Sequence, residues 1–162
     1  MRIALSIIGF IATLVGVTYF VGKSLPEKNE VVVETSINAS AEKVWSVMTS
    51  WEDQPLWRSG IDRVEIIDSS RFVEYPKSGA PIEFEIMHAD PPRLLEMAFS
   101  GAVNGTYVAE LTEDESVTRF RSTESVSIAN PFFRVINALF IDLEEFANNY
   151  QSELKIQVEN NL

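Results

Sequence analysis

Chemistry in this chain would have to come from very few side chains. His88 is the only histidine, and cysteine is absent. Zero cysteine excludes a disulfide framework, a thiolate metal site and a cysteine nucleophile. A histidine acting as a general base needs an orienting partner. Glu124 is the one carboxylate with inward parity among the later strands, and Tyr107 adds a hydroxyl. His88, Tyr107 and Glu124 are therefore the only candidate set for catalytic proton transfer, although nothing in their spacing shows that they meet. The plainer reading of His88 is a strand-end histidine, just before Asp90-Pro91-Pro92, that makes an ordinary hydrogen bond.

Other chemistries lack their signatures. One histidine leaves only carboxylates as metal ligands, and no D-x-D-x-D-G loop occurs, so neither a metal nor a cofactor is expected. Glu113-Asp114-Glu115 reads as a solvated hairpin turn. Gly101-Ala102-Val103-Asn104-Gly105 has two glycines but no following lysine or helix pattern, so it is no phosphate loop. A G-x-S-x-G elbow is missing. Among 162 residues, 13 are lysine or arginine and 24 are aspartate or glutamate, a formal charge of −11. That excess argues against nucleic acid as a partner and against electrostatic adhesion to anionic lipid.

The elements that would position these side chains begin with an uncharged apolar run, residues 3–21. As a helix it would span about 28 Å, close to the bilayer core. Tyr19 and Phe20 lie where an interfacial aromatic belt belongs, and Lys23 closes the run. The leading expectation is a single-pass transmembrane anchor over residues 1–22, with the membrane as partner. A cleaved signal peptide and a buried helix are the rivals. Arg2 and the chain amine stand against Lys23 and Lys28, so orientation stays undecided. Residues 23–29, with Pro26, read as a linker.

Residues 30–162 read as one domain, acidic in its own right with 10 basic and 23 acidic side chains. Glu30–Asn38 is β-branched and partly alternating, hence a strand. Ser40 fits an N-cap before a helix whose apolar positions are Ala41, Val44, Trp45, Val47 and Met48. Trp51, Pro55 and Trp57 mark a second short helix or a turn. Six strand-like segments follow, at 61–68, 71–77, 81–89, 93–100, 103–112 and 117–128, each bounded by turn residues. Their alternation gives one apolar and one charged face. Asn130 and Pro131 then open an amphipathic helix expected to run to Leu154, with Phe132, Ile136, Leu139, Leu143, Phe146 and Tyr150 in its stripe.

Strand, short helices, antiparallel strands, long helix: this is an α+β order. A twisted sheet of six to seven strands curls, and a curled sheet around one helix leaves room for an apolar cavity. The segment VVVETSINASAEKVWSVMTSWEDQPLWRSGIDRVEIID also resembles the opening of the SRPBCC superfamily, the START-like and birch-pollen-allergen-like helix-grip domains. Its polyketide cyclase/dehydrase and lipid transport branch is the nearest in look. The matching features are Ser36-Ile37-Asn38-Ala39, Ala41-Glu42-Lys43-Val44-Trp45, Trp51, Pro55-Leu56-Trp57 and Val64-Glu65. Ser40 stands where that family usually has proline.

The resemblance implies a helix-grip fold with a hydrophobic-ligand cavity between the sheet and the C-terminal helix. The residues expected to line it are Tyr75, Phe84, Ile86, His88, Met97, Phe99, Tyr107, Phe120, Phe133 and Phe140, with Trp51 and Trp57 at an entrance. For each, plain core packing is the competing reading. Three functions follow as expectations. The first is membrane-anchored binding of a hydrophobic small molecule or lipid, without catalysis. The second is a cyclase/dehydrase-like enzyme using His88, Tyr107 and Glu124. The third is a protein-interaction module with a filled core and an exposed apolar patch.

Overall fold

The β-branched run after the linker becomes β1, Lys28–Ile37, in a computed structural model that describes residues 2–160 except 102, with side-chain surroundings from Gly9 onward. Helix α1, Arg2–Ser24, precedes it. Ser40 caps α2, Ala41–Thr49, by accepting from the Lys43 N–H at 3.3 Å. A single 3-10 turn at Trp51–Asp53 leads into the one-turn helix α3, Gln54–Trp57, with Pro55 in its first turn. Six strands follow: β2 Ile61–Ile66, β3 Arg71–Pro76, β4 Ile82–Asp90, β5 Leu94–Ser100, β6 Asn104–Asp114 and β7 Val117–Ser127. They form one antiparallel sheet ordered β1-β7-β6-β5-β4-β3-β2.

The acidic hairpin between β6 and β7 turns at Glu115, whose φ is 56°. Glu113 is not merely solvated there. Its Oε2 accepts from the Ala41 N–H at 2.7 Å and satisfies a free donor at the start of α2.

The expected single C-terminal helix is two helices, α4 (Pro131–Phe140) and α5 (Leu143–Asn160). Asn130 caps α4, accepting from the Phe132 N–H at 2.9 Å. Ile141 then leaves the helical region, at φ −120° and ψ 117°. A β-branched residue followed by aspartate suits such a break, and Glu144 and Glu145 favour a new helix start. The chain accordingly divides into two compact units, residues up to 29 with Ser127–Asp142, and Glu30–Val126 with residues from 143 onward.

In the first unit α1 packs on α4. Tyr19 and Phe132 bring their ring centroids to 6.0 Å. A Cβ on Gly22 would lie 2.0 Å from the Pro131 carbonyl oxygen, so only glycine permits that approach. Arg134 is buried and donates from Nε to the Ile128 carbonyl at 2.6 Å and from Nη2 to Glu27 at 2.7 Å. Among the described residues no helix is long and apolar enough to cross a membrane. This overturns the expectation of a single-pass anchor over residues 3–21. α1 is instead seated on α4 within the first unit, with Tyr19 against Phe132 and Gly22 against Pro131. Thr13 and Thr18 turn their hydroxyls back onto the carbonyls of Gly9 and Leu14.

In the second unit α2 and α5 pack on the concave face of the sheet. Ile37, Val44, Met48, Phe72, Leu95, Phe120, Leu154 and Val158 form one buried cluster. Polar ties fix α5 in place. Gln151 Nε2 donates to the Val33 carbonyl and to Ser122 Oγ, both at 3.0 Å, and Lys155 Nζ donates to the Ser36 carbonyl at 2.8 Å. Each buried tie contributes about 1 kcal/mol net, but orients the helix against one register only.

Candidate functional site

The core of the second unit is not filled. A cavity opens between α5, the 3-10 turn with α3, and strands β3 to β7. The space open to the centre of a water-sized sphere is about 90 Å³, and the whole void including its mouth is about 660 Å³. One wall is a ladder of rings. Trp51 stacks on Phe72 at 4.4 Å, Phe72 on Phe84 at 5.1 Å, and Phe84 meets Phe99 at 5.7 Å. Register explains it, because Phe72 faces Phe84 and Phe84 faces Phe99 across neighbouring strands. Gly105, opposite Phe99, has no room for a side chain. A Cβ there would sit 2.3 Å from the Phe99 ring and 2.2 Å from the Ser125 carbonyl oxygen.

The other wall is polar. Arg58 ends α3, its N–H bonded to the Gln54 carbonyl at 2.8 Å, and extended backbone there turns its side chain inward. Its Nη1 donates to Glu74 on β3 and to Gln54 Oε1, and its guanidinium lies 5.1 Å from the centre of the Tyr150 ring. Gln54 is itself held, donating from Nε2 to the Met48 carbonyl at 3.1 Å. Burial opposes the charge on Arg58, but Glu74, Tyr150 and Tyr107 outweigh it, so the guanidinium is held above its ordinary value. Both partners are buried, and such a pair persists only because each is satisfied.

Three further titratable groups face this pair. Burial pushes Tyr107 well above the ordinary phenol range, and Tyr150 up to about 12. Glu124 is raised to about 7, first by burial; Arg58 opposes the rise and Glu74 adds to it. The Tyr107 hydroxyl is buried and makes no hydrogen bond of good geometry, with the Tyr150 hydroxyl as a weak neighbouring acceptor. A buried donor left in that state costs about 1–3 kcal/mol. Trp57 Nε1 is a buried donor without a partner.

Of the residues singled out in the sequence, Trp51, Phe84, Met97, Phe99, Tyr107 and Glu124 line the cavity. Trp57 lies just behind the wall, its ring 5.8 Å from Tyr150. Phe120 and Ile86 belong to the packed core beside it. Four of the expected residues lie elsewhere. His88 is exposed, because the β4–β5 register shifts between Ile86 and His88 and a one-residue slip changes the face. Tyr75 belongs to the outer face. Its hydroxyl donates to Glu65 at 3.0 Å, and Phe72 and Glu74 take the inward positions on β3. Phe133 and Phe140 are exposed on α4, in the other unit. Sequence reasoning missed Gln54, Arg58, Glu74, Ser122, Ala147 and Tyr150. Tyr150 and Phe146 were legible in the helix stripe, whereas Arg58 and Glu74 gave no signal because their pairing is long-range.

The family described as Polyketide cyclase / dehydrase and lipid transport matches residues 28–154. The chain belongs to that family. Among solved structures it is similar to a conserved protein from Geobacillus kaustophilus, with TM-score 0.68 and 14% identity, covering 82% of this chain and 96% of that one. A START superfamily protein from Mycobacterium smegmatis aligns with TM-score 0.68 and 13% identity over 82% and 99%. The Zhui aromatase/cyclase from Streptomyces sp. R1128 aligns with TM-score 0.66 and 14% identity over 82% and 94%. At such identities the likeness is one of fold. No curated protein matches the chain.

Proposed function

We propose that this protein binds a single hydrophobic small molecule in the cavity of its second unit. The observation that carries the reading is the void itself, with about 90 Å³ open to the centre of a water-sized sphere, walled by Trp51, Ile82, Phe84, Met97, Phe99 and Phe146. Apolar walls with a few converging polar groups are the usual form of small-molecule sites. The size favours one compact ligand over a two-chain lipid. The family's fold and the name of the START superfamily neighbour agree with such a role. Native mass spectrometry of the full chain, after incubation with a cellular extract of apolar metabolites, tests it. A discrete mass shift that Phe84→Ala weakens is expected. A spectrum of unliganded protein alone counts against the reading.

A second reading is favoured by one observation: Glu124 and Tyr107 share the cavity, and Glu124 titrates near neutrality. A carboxyl with that value is suited to general acid–base work, as a cyclase/dehydrase-like enzyme requires. His88 takes no part in it. The two readings separate on what leaves the site. A binder returns its ligand chemically unchanged, whereas an enzyme converts it at a rate that Glu124→Gln lowers.

A further inference from the structure

The polar wall also narrows what the ligand's head can be; the argument rests on the ligand-binding reading above. Tyr107 offers a buried O–H with no well-placed acceptor, only the Tyr150 hydroxyl as a weak one. The wall's one cation is already matched, since Arg58 is paired with Glu74 and bonded to Gln54. A second carboxyl, Glu124, lines the same space. Two carboxyls thus stand against one guanidinium, so an entering carboxylate would meet no free positive charge. An uncharged oxygen would instead satisfy the Tyr107 donor and cost no charge burial.

We propose that the cavity selects hydrophobic molecules whose polar end is an uncharged acceptor oxygen, received by Tyr107 and Glu124, and rejects the same molecules ending in a carboxylate.

Glu124 can donate to that oxygen only while it carries its proton. Its value of about 7 makes that form abundant at pH 6 and scarce at pH 8. The titratable groups that line the cavity with it are Arg58 beyond α3, Glu74 on β3, Tyr107 on β6 and Tyr150 on α5. Of these, Arg58 and the two tyrosines keep one protonation state across that interval. Acceptor binding therefore strengthens as pH falls through 7 and takes up a proton.

The test is calorimetric titration of the full chain with three probes sharing one ring system: naphthalene, 2-acetonaphthone and 2-naphthoate. The ketone is expected to bind about 10-fold or more tighter than the acid at pH 8, a difference of about 1.4 kcal/mol. Ketone affinity should rise between pH 8 and pH 6, and Glu124→Gln should flatten that rise. Tyr107→Phe should reduce the ketone's advantage over naphthalene roughly 3- to 10-fold, the range of one neutral hydrogen bond. Ketone and hydrocarbon binding equally, or acid matching ketone, overturns the head-group proposal and leaves the cavity reading intact. If none of the three binds to folded protein, the cavity reading fails and takes the proposal with it.

Discussion

Two arginine–glutamate–tyrosine groups sit on opposite faces of this sheet. Arg58, Glu74 and Tyr150 are inside; Arg63, Glu65 and Tyr75 are outside. The outer group has closer geometry. Arg63 lies 3.4 Å from the centre of the Tyr75 ring, against 5.1 Å for Arg58 and Tyr150, and Glu65 accepts from both Arg63 and Tyr75. Water nonetheless screens the outer group, and long side chains lose entropy by holding one arrangement there. Inside, screening is weak and bulk water is largely excluded, so each member depends on the others. The same residue types decorate one face and hold up the other, and burial alone sets the difference.

The comparison can be broken from its inner side first. Arg58→Met strands the Glu74 carboxylate in the core, and urea unfolding at pH 7 should show a loss of about 3–5 kcal/mol. Adding Glu74→Met should restore most of that loss, because two apolar side chains of similar volume leave no buried charge. A double variant no more stable than the single would show that the pair contributes more than mutual neutralisation.

Glu124 gives the next largest effect. Its folded value, about 7, lies above its ordinary 4.5. The protonated form therefore stabilises the fold, fully below about pH 4.5, and this contribution is lost as pH rises through 7. Glu124→Gln keeps the uncharged form at every pH. It should match the parent near pH 4.5 and exceed it at pH 8 by about 1–2 kcal/mol, after allowance for partial solvent access. Denaturant midpoints across that range check the sign; equal midpoints at pH 8 would refute it.

Tyr107→Phe comes third. Removing an O–H whose only acceptor is poorly placed should stabilise the unliganded chain by up to about 1 kcal/mol, seen as a higher melting temperature. The smallest effect belongs to the outer group. Arg63→Ala should leave the melting temperature unchanged within error, and added salt should not alter that result. A clear loss there would mean that the outer face carries more than its exposure allows.

Much of this arrangement was legible residue by residue. Ser40 and Asn130 announced their helices because a short polar side chain before an apolar period has one common use. The strands were readable because their alternation is local. Parity failed where the backbone slips, at His88, and where both faces of a strand carry large side chains, at Tyr75. The helix break at Ile141 was masked by a stripe that continues past it, since spacing along a sequence does not register a change in direction. Arg58 and Glu74 were invisible for another reason. A buried ion pair is made by two residues sixteen positions apart whose neighbourhood only the folded sheet creates. The cavity was expected from the family resemblance, while its polar wall was not.

Gly105 has a consequence of its own. It does not line the cavity, yet the Phe99 ring rests where its side chain would be. Gly105→Ala must displace both that ring and the Ser125 carbonyl on β7, and comparing Phe99 and Ser125 in crystal structures of parent and variant would show which gives way. Because the ring already borders the void, the room inside depends on a backbone position behind the wall as much as on the wall. The lack of one methyl group, on a residue outside the wall, thus fixes where a ring of the wall can rest.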